Sequence, residues 1–202
     1  MRLQASVHSK IPLWLKLAWT GWILVWAPIY FRQYGIQNFL FFCDLGNILI
    51  TLALWLESSL IFSWQAVSLL VVQALYSVDL FAAFFFGRHL TGGTEYMFDS
   101  NIALPIRILG LYHLIVPPLL LWAVRRLGYD HRAFKLQIVT ACILIPICSV
   151  WRPQFNVNWA RGLGHEQHLV AGPLYVIAYL VAASVLIYWP THLFLSKFGA
   201  QR

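Results

Sequence analysis

Charge is what this sequence has least of. Seven of its 202 residues are acidic and 14 are Lys or Arg, 10% charged in all, against about 25% in a soluble domain. A chain with so few charges is not built to face water on all sides, which excludes an ordinary soluble enzyme or binding module. Cysteine is scarce as well. Cys43, Cys142 and Cys148 all sit in apolar runs, which argues against a disulfide framework. No Gly/Ser-rich stretch or shift of composition divides the chain, and it shows no internal repeat or low-complexity tract, so a single domain over 1–202 is expected. Gly92-Gly93 and Gly162-Leu163-Gly164 lack the lysine or the strand–helix context that a phosphate cradle needs. Nothing at the N-terminus resembles a secretory signal with a cleavage site.

What the sequence has in abundance is apolar surface, 60% of residues, with a mean hydropathy of +0.70. Six stretches approach the roughly 20 apolar residues that a helix needs to cross hydrocarbon. They lie at about 12–31, 38–56, 60–86, 103–124, 135–151 and 170–195. The expected fold is therefore all-α: a polytopic membrane protein, a bundle of six transmembrane helices. Lys16 and Pro28 interrupt the first stretch, and Lys16 is placed to snorkel to the interface.

An even number of crossings puts both termini on one side. That side carries Arg2, Lys10, Lys16, Arg125, Arg126, Arg132, Lys135, Lys197 and Arg202, and the other carries Arg32, Arg88, Arg107, Arg152 and Arg161. The excess favours cytoplasmic termini in a bacterial plasma membrane. The net charge of +7 is thus absorbed by topology, and no nucleic-acid partner is expected. The long loops, Gly87–Ile102 and Arg152–Leu169, fall outside the cell. Loops of that size and polarity either cover a site or are merely solvated.

Against this apolar background Cys43-Asp44 stands out, joined by Asp79 and His113 in two other segments. Ionisable groups at membrane depth are rare and face the protein interior. Counted inward from the outer segment ends at about 1.5 Å per residue, Cys43, Asp79 and His113 lie roughly 9, 10 and 15 Å deep. Cys43 and Asn47 share a helical face, and Gln73, Tyr76 and Ser77 with Asp79 form a second polar stripe. Lipid offers such stripes no partners, so both are expected to point inward. Each residue also has a purely structural use: a buried Cys is usually a small apolar packer, and a buried Asp or His can simply be hydrogen-bonded. His165, Glu166 and His168 with His89 and Glu95 do not have the His-Glu-x-x-His spacing, so no metal is expected, and no cofactor either.

Leu40-Phe41-Phe42-Cys43-Asp44-Leu45, Leu111-Tyr112-His113-Leu114-Ile115-Val116 and Gly172-Pro173-Leu174-Tyr175 resemble, in order and spacing, motifs of the YwaF-like integral membrane proteins. That family is related to a transmembrane acyltransferase and to the androgen-inducible-type membrane lipid hydrolases. The likeness spans roughly residues 38–185. It departs from the family in lacking a His or Pro just before the Cys. The resemblance implies intramembrane acyl hydrolysis or transfer on a membrane lipid, with Cys43 as nucleophile and His113 as base.

In that chemistry Asp79 or Asp44 orients the imidazole, while Asn47 or Asn158 donates to the oxyanion. Tyr112 and Trp159 join Asn47 and Asn158 as substrate contacts. The alternative is a non-enzymatic protein that binds a lipid or quinone, or a small transporter subunit.

Overall fold

The computed structural model describes residues 10–199, so Arg2 and Arg202 lie outside the described residues. Within them the chain is helical, with no strand. Helix α1 (Leu13–Tyr34) leads through a 3-10 turn at Ile36–Leu40 into α2 (Phe42–Leu56) and α3 (Ser59–Phe86). Two short helices in line, α4 (Leu104–Leu109) and α5 (Tyr112–Leu127), precede α6 (Arg132–Val150). The last pass is α7 (Gly172–Ala183), a π-helical turn at Ser184–Tyr188, and α8 (Trp189–Gly199).

Four passes are long and apolar enough to cross a membrane: Ser59–Phe86, Leu104–Leu127, Arg132–Val150 and Gly172–Gly199. Helix α2 is apolar but shorter, and in α1 four tryptophans, Lys16 and Pro28 dilute the aliphatic content. The outer surface is apolar: Leu24, Phe84, Phe85, Val150 and Leu186 are each about 70% exposed or more, while Asp44, Asn47, Gln65, Gln73 and Gln137 are buried. That inversion suits a solvent with no hydrogen bonds to offer.

Polar contacts tie the passes together at two ends. At one end the carboxylate of Glu57, in a left-handed turn after α2, accepts from the Lys16 ammonium at 2.7 Å and from the Lys10 backbone N–H at 2.8 Å. Arg126 donates to the Lys10 carbonyl, and the Asp130 N–H donates to the Ser63 hydroxyl. In the Gly128–His131 turn, hydrogen bonds from Arg132 hold Asp130 below the usual carboxylate pKa.

At the opposite end the 3-10 turn, the 87–103 segment and the 151–171 segment meet. Arg152 donates to the Gln37 side-chain Oε1 at 2.8 Å, and Trp159 lies 3.7 Å from where a β-carbon on Gly93 would sit.

Two expected helices are broken. The pass expected over 38–56 becomes a 3-10 turn and a helix starting at Phe42, because Phe41 is extended. The pass expected over 103–124 is interrupted at Gly110–Leu111, where a β-carbon on Gly110 would lie 2.5 Å from the Tyr96 hydroxyl. That approach requires glycine at position 110.

Candidate functional site

The N-terminal turn of α2 presents Cys43 and Asp44 to the bundle interior. The Asp44 carboxylate is buried and accepts from the Tyr112 hydroxyl at 2.7 Å and from the Asn38 amide. Asn38 belongs to the 3-10 turn, so the break at Phe41 is what folds an amide back over this carboxylate. The Cys43 thiol, one residue before Asp44, is partly buried. Tyr112 is itself walled by aromatic rings, with Trp26 at 5.8 Å and Trp22 at 6.4 Å between centroids.

His113 follows Tyr112 and is buried. Its ring lies between those of Tyr112 and Tyr76, at 4.0 and 4.2 Å. The Tyr76 hydroxyl pairs with that of Tyr96 at 2.7 Å. Burial raises the pKa of Tyr96, in the 87–103 segment, and keeps it neutral. A continuous run thus leads from Asp44 through Tyr112, His113 and Tyr76 to Tyr96 in the loop.

Three buried groups here have no hydrogen-bond partner among the described residues: both side-chain atoms of Asn47, both of Gln73, and Nδ1 of His113. Asn47 is fully buried and Gln73 is 1% exposed. Each lies about one helical turn from the contacts above, Asn47 from Asp44 and Gln73 from Tyr76. The Nε1 groups of Trp22 and Trp26 are likewise unpartnered. An unsatisfied buried donor or acceptor costs about 1–3 kcal/mol, so such a concentration is a feature to explain.

The other expected site residues are placed differently. Asp79 is the 21st residue of α3, one turn beyond Tyr76, and its carboxylate turns to the loop. Its Oδ1 accepts from the backbone N–H groups of Leu90 at 2.5 Å, Thr91 at 2.6 Å and Gly92 at 3.3 Å. Its Oδ2 accepts from the Thr94 hydroxyl and lies 3.1 Å from His89 Nδ1. The carboxylate is enclosed by a nest of donors, and no contact among the described residues joins it to His113.

Asn158 is also committed elsewhere. Its Oδ1 accepts from the Phe42 N–H at 2.9 Å and its Nδ2 donates to the Leu40 carbonyl at 2.7 Å. The side chain therefore serves as the missing N-cap of α2 from 116 residues away, and with Nδ2 also donating to Cys148 Sγ at 3.6 Å both of its N–H groups are engaged. Trp159 is in the left-handed region at φ 56°. Its carbonyl accepts from the Tyr175 hydroxyl at 3.0 Å, and its ring packs over the Gly93 turn.

Sequence reasoning placed Cys43, Asp44, Asn47, Asp79 and His113 in one cluster with Tyr112 as a substrate contact; Asp44 meets Tyr112 and His113 stacks on it, while Asp79 is tied to the loop. That reasoning did not give Asn38, Tyr96, Trp22 or Trp26 a place in the site. Asn38 and Tyr96 carry no periodic signal, and tryptophans in an apolar helix read as interface anchors. Among the described residues no group of three or more His, Cys, Asp or Glu is arranged to hold a metal.

No protein-family model, curated protein or solved structure matches the chain. The likeness to YwaF-like proteins therefore rests on the three short motifs alone.

Proposed function

We propose that this is an integral membrane protein of six crossings that binds a lipid-like molecule, whose hydrogen-bonding head meets the buried cluster around Asp44, Tyr112 and His113. One observation carries the reading: Asn47 on α2, Gln73 on α3 and His113 on α5, helices that pack together through α3, leave five buried side-chain polar atoms without a partner. Amides buried this way persist when something hydrogen-bonds them. The charge count of the loops puts the cluster in the outer half of the bilayer, with both termini cytoplasmic.

The test is lipid retention. Protein purified in mild detergent is analysed by native mass spectrometry for bound lipid, in wild type and in Asn47→Leu and Gln73→Leu. Retention by wild type and loss by both variants supports the reading. Wild type that carries no lipid, or equal retention by all three, overturns it.

A second reading, acyl transfer or hydrolysis, is favoured by Cys43 standing beside Asp44, which accepts from the Tyr112 hydroxyl, while His113 stacks on the same tyrosine. In that chemistry the His113 imidazole takes the thiol proton as Sγ bonds to the ester carbonyl carbon. The alcohol leaves with that proton, and water or a second alcohol then releases the acyl group. Of the two candidates for each supporting role, Asp79 and Asn158 are engaged elsewhere, which leaves Asp44 to orient the imidazole and Asn47 to donate to the oxyanion. A hydroxylamine-labile acyl adduct on wild type, absent from Cys43→Ala and His113→Ala, distinguishes this reading from binding alone.

A further inference from the structure

A groove of about 790 Å³ lies where α6 ends and α7 begins, bordered by the 160–170 segment. None of the residues clustered around Asp44 lines it. Its walls divide by chemistry. The helix side is apolar, with Ile147 and Val150 from the last turn of α6 and Val176 and Ile177 from α7. Ile147, Val150 and Ile177 are exposed, so no described residue covers this half and it opens sideways on the apolar exterior. The loop side carries one cation, Arg161, and one carboxylate, Glu166.

We propose that this groove seats a zwitterionic phospholipid with a primary ammonium head, such as a phosphatidylethanolamine. Position is the first part of the argument. Val150 closes α6 and Gly172 opens α7, and both helices belong to passes long and apolar enough to cross a membrane. In the membrane placement above, a groove at that level runs from the hydrocarbon edge to the head groups. Its volume suits a head group, the glycerol and the first methylenes; the remaining chain continues down the exposed face of Ile147 and Ile177.

Charge is the second part. Arg161 Nη2 donates to Glu166 Oε1, yet the two side chains stay 33% and 42% exposed and within reach of a ligand. Arg161 Nη1 donates to the Ser149 carbonyl at 3.1 Å, which fixes the guanidinium against the end of α6. A guanidinium has five N–H donors, so this one keeps donors for a further acceptor, and Glu166 Oε2 accepts from no described residue. A positive and a negative group side by side are matched by the same pair reversed, phosphate against Arg161 and ammonium against Glu166. Phosphatidylglycerol supplies the phosphate but leaves its charge facing the Glu166 carboxylate. The quaternary ammonium of a choline head has the charge and no N–H to donate, whereas a primary ammonium has three.

The experiment uses the full chain in mild detergent with equal amounts of dioleoyl phosphatidylethanolamine, phosphatidylcholine and phosphatidylglycerol, and counts bound lipid by native mass spectrometry. Wild type is expected to retain the ethanolamine lipid about three- to fivefold over either of the others, the factor that one partly exposed ion pair supplies. Glu166→Gln is expected to erase the preference over the choline lipid and to raise phosphatidylglycerol. Val150→Trp fills the apolar half and is expected to lower retention of all three. Arg161 is left in place because it also holds the Ser149 carbonyl. Should Val150→Trp fail to fold, Glu166→Gln carries the comparison. Equal retention of the three lipids by wild type, a preference for phosphatidylglycerol, or an ethanolamine preference that survives Glu166→Gln overturns the proposal. Lipid lost from Asn47→Leu but kept in Val150→Trp belongs to the Asp44 cluster and overturns the groove as its seat.

Discussion

At the scale of single residues, Asp44 and Asp79 show how one side-chain type takes two roles in this chain. Asp79 accepts from a closed shell of backbone and hydroxyl donors, so it organises a loop. Asp44 has only Tyr112 and Asn38 and sits among groups with unused hydrogen-bonding capacity. Tyr112→Phe removes the 2.7 Å hydrogen bond with little change of shape. It is expected to cost about 1–3 kcal/mol, measured by denaturant or thermal unfolding in detergent, and the Asn38→Ala, Tyr112→Phe pair should be non-additive because both act on one carboxylate. Asp79→Ala strands three backbone N–H groups and a hydroxyl. It is expected to cost about 3 kcal/mol or more and, unlike Tyr112→Phe, to speed proteolysis within residues 87–103.

At the scale of elements, several helix ends are made by distant chain rather than by their own caps. The start of α2 is capped by Asn158, whose own left-handed backbone is fixed by the tight turns of 152–159. Asn158→Ala is expected to destabilise by about 1–2 kcal/mol, the usual value of a cap, with faster amide exchange confined to the first turn of α2. Packing between α2 and α3 depends on Gly46, where a β-carbon would lie 2.5 Å from Leu69 Cδ1. Gly46→Ala is therefore expected to lower the melting temperature by forcing Leu69 aside, at about 1–3 kcal/mol. In the Gly128–His131 turn, the depressed pKa of Asp130 sets a sign. Its contribution to stability is full above the ordinary carboxylate range near pH 4 and is lost as pH falls through its lower folded value. Asp130→Asn should flatten that acid limb.

At the scale of the whole molecule, four helices long and apolar enough to cross a membrane, an apolar exterior and a polar interior suit a bilayer, and the two tied ends are the faces to test. His131 and His165 are both exposed and lie at opposite ends. With Cys43, Cys142 and Cys148 replaced by serine, His165→Cys should react with a membrane-impermeant maleimide on intact cells. His131→Cys should react only after the membrane is opened. The reverse pattern would invert the topology, and labelling of both from one side would remove the even number of crossings.

Composition and apolar runs alone determined that the chain is helical and apolar enough for a membrane, because a deficit of charge and runs of about 20 apolar residues are local properties that need no partner to be read. Helical spacing likewise placed Asn47 with Cys43 and Gln73 with Tyr76, since a periodicity of 3.6 is also local. Only the tertiary structure decided what each polar group meets. Asn38 folds onto Asp44, Asn158 reaches α2 across 116 residues, Tyr96 returns to Tyr76, and Asp79 turns to the loop instead of to His113. Those pairings depend on loop paths and on the approach of helix ends, where direction is set by a few left-handed residues and close glycines. No periodic pattern encodes them, and so the helical face of a residue was legible in the sequence while its partner was not.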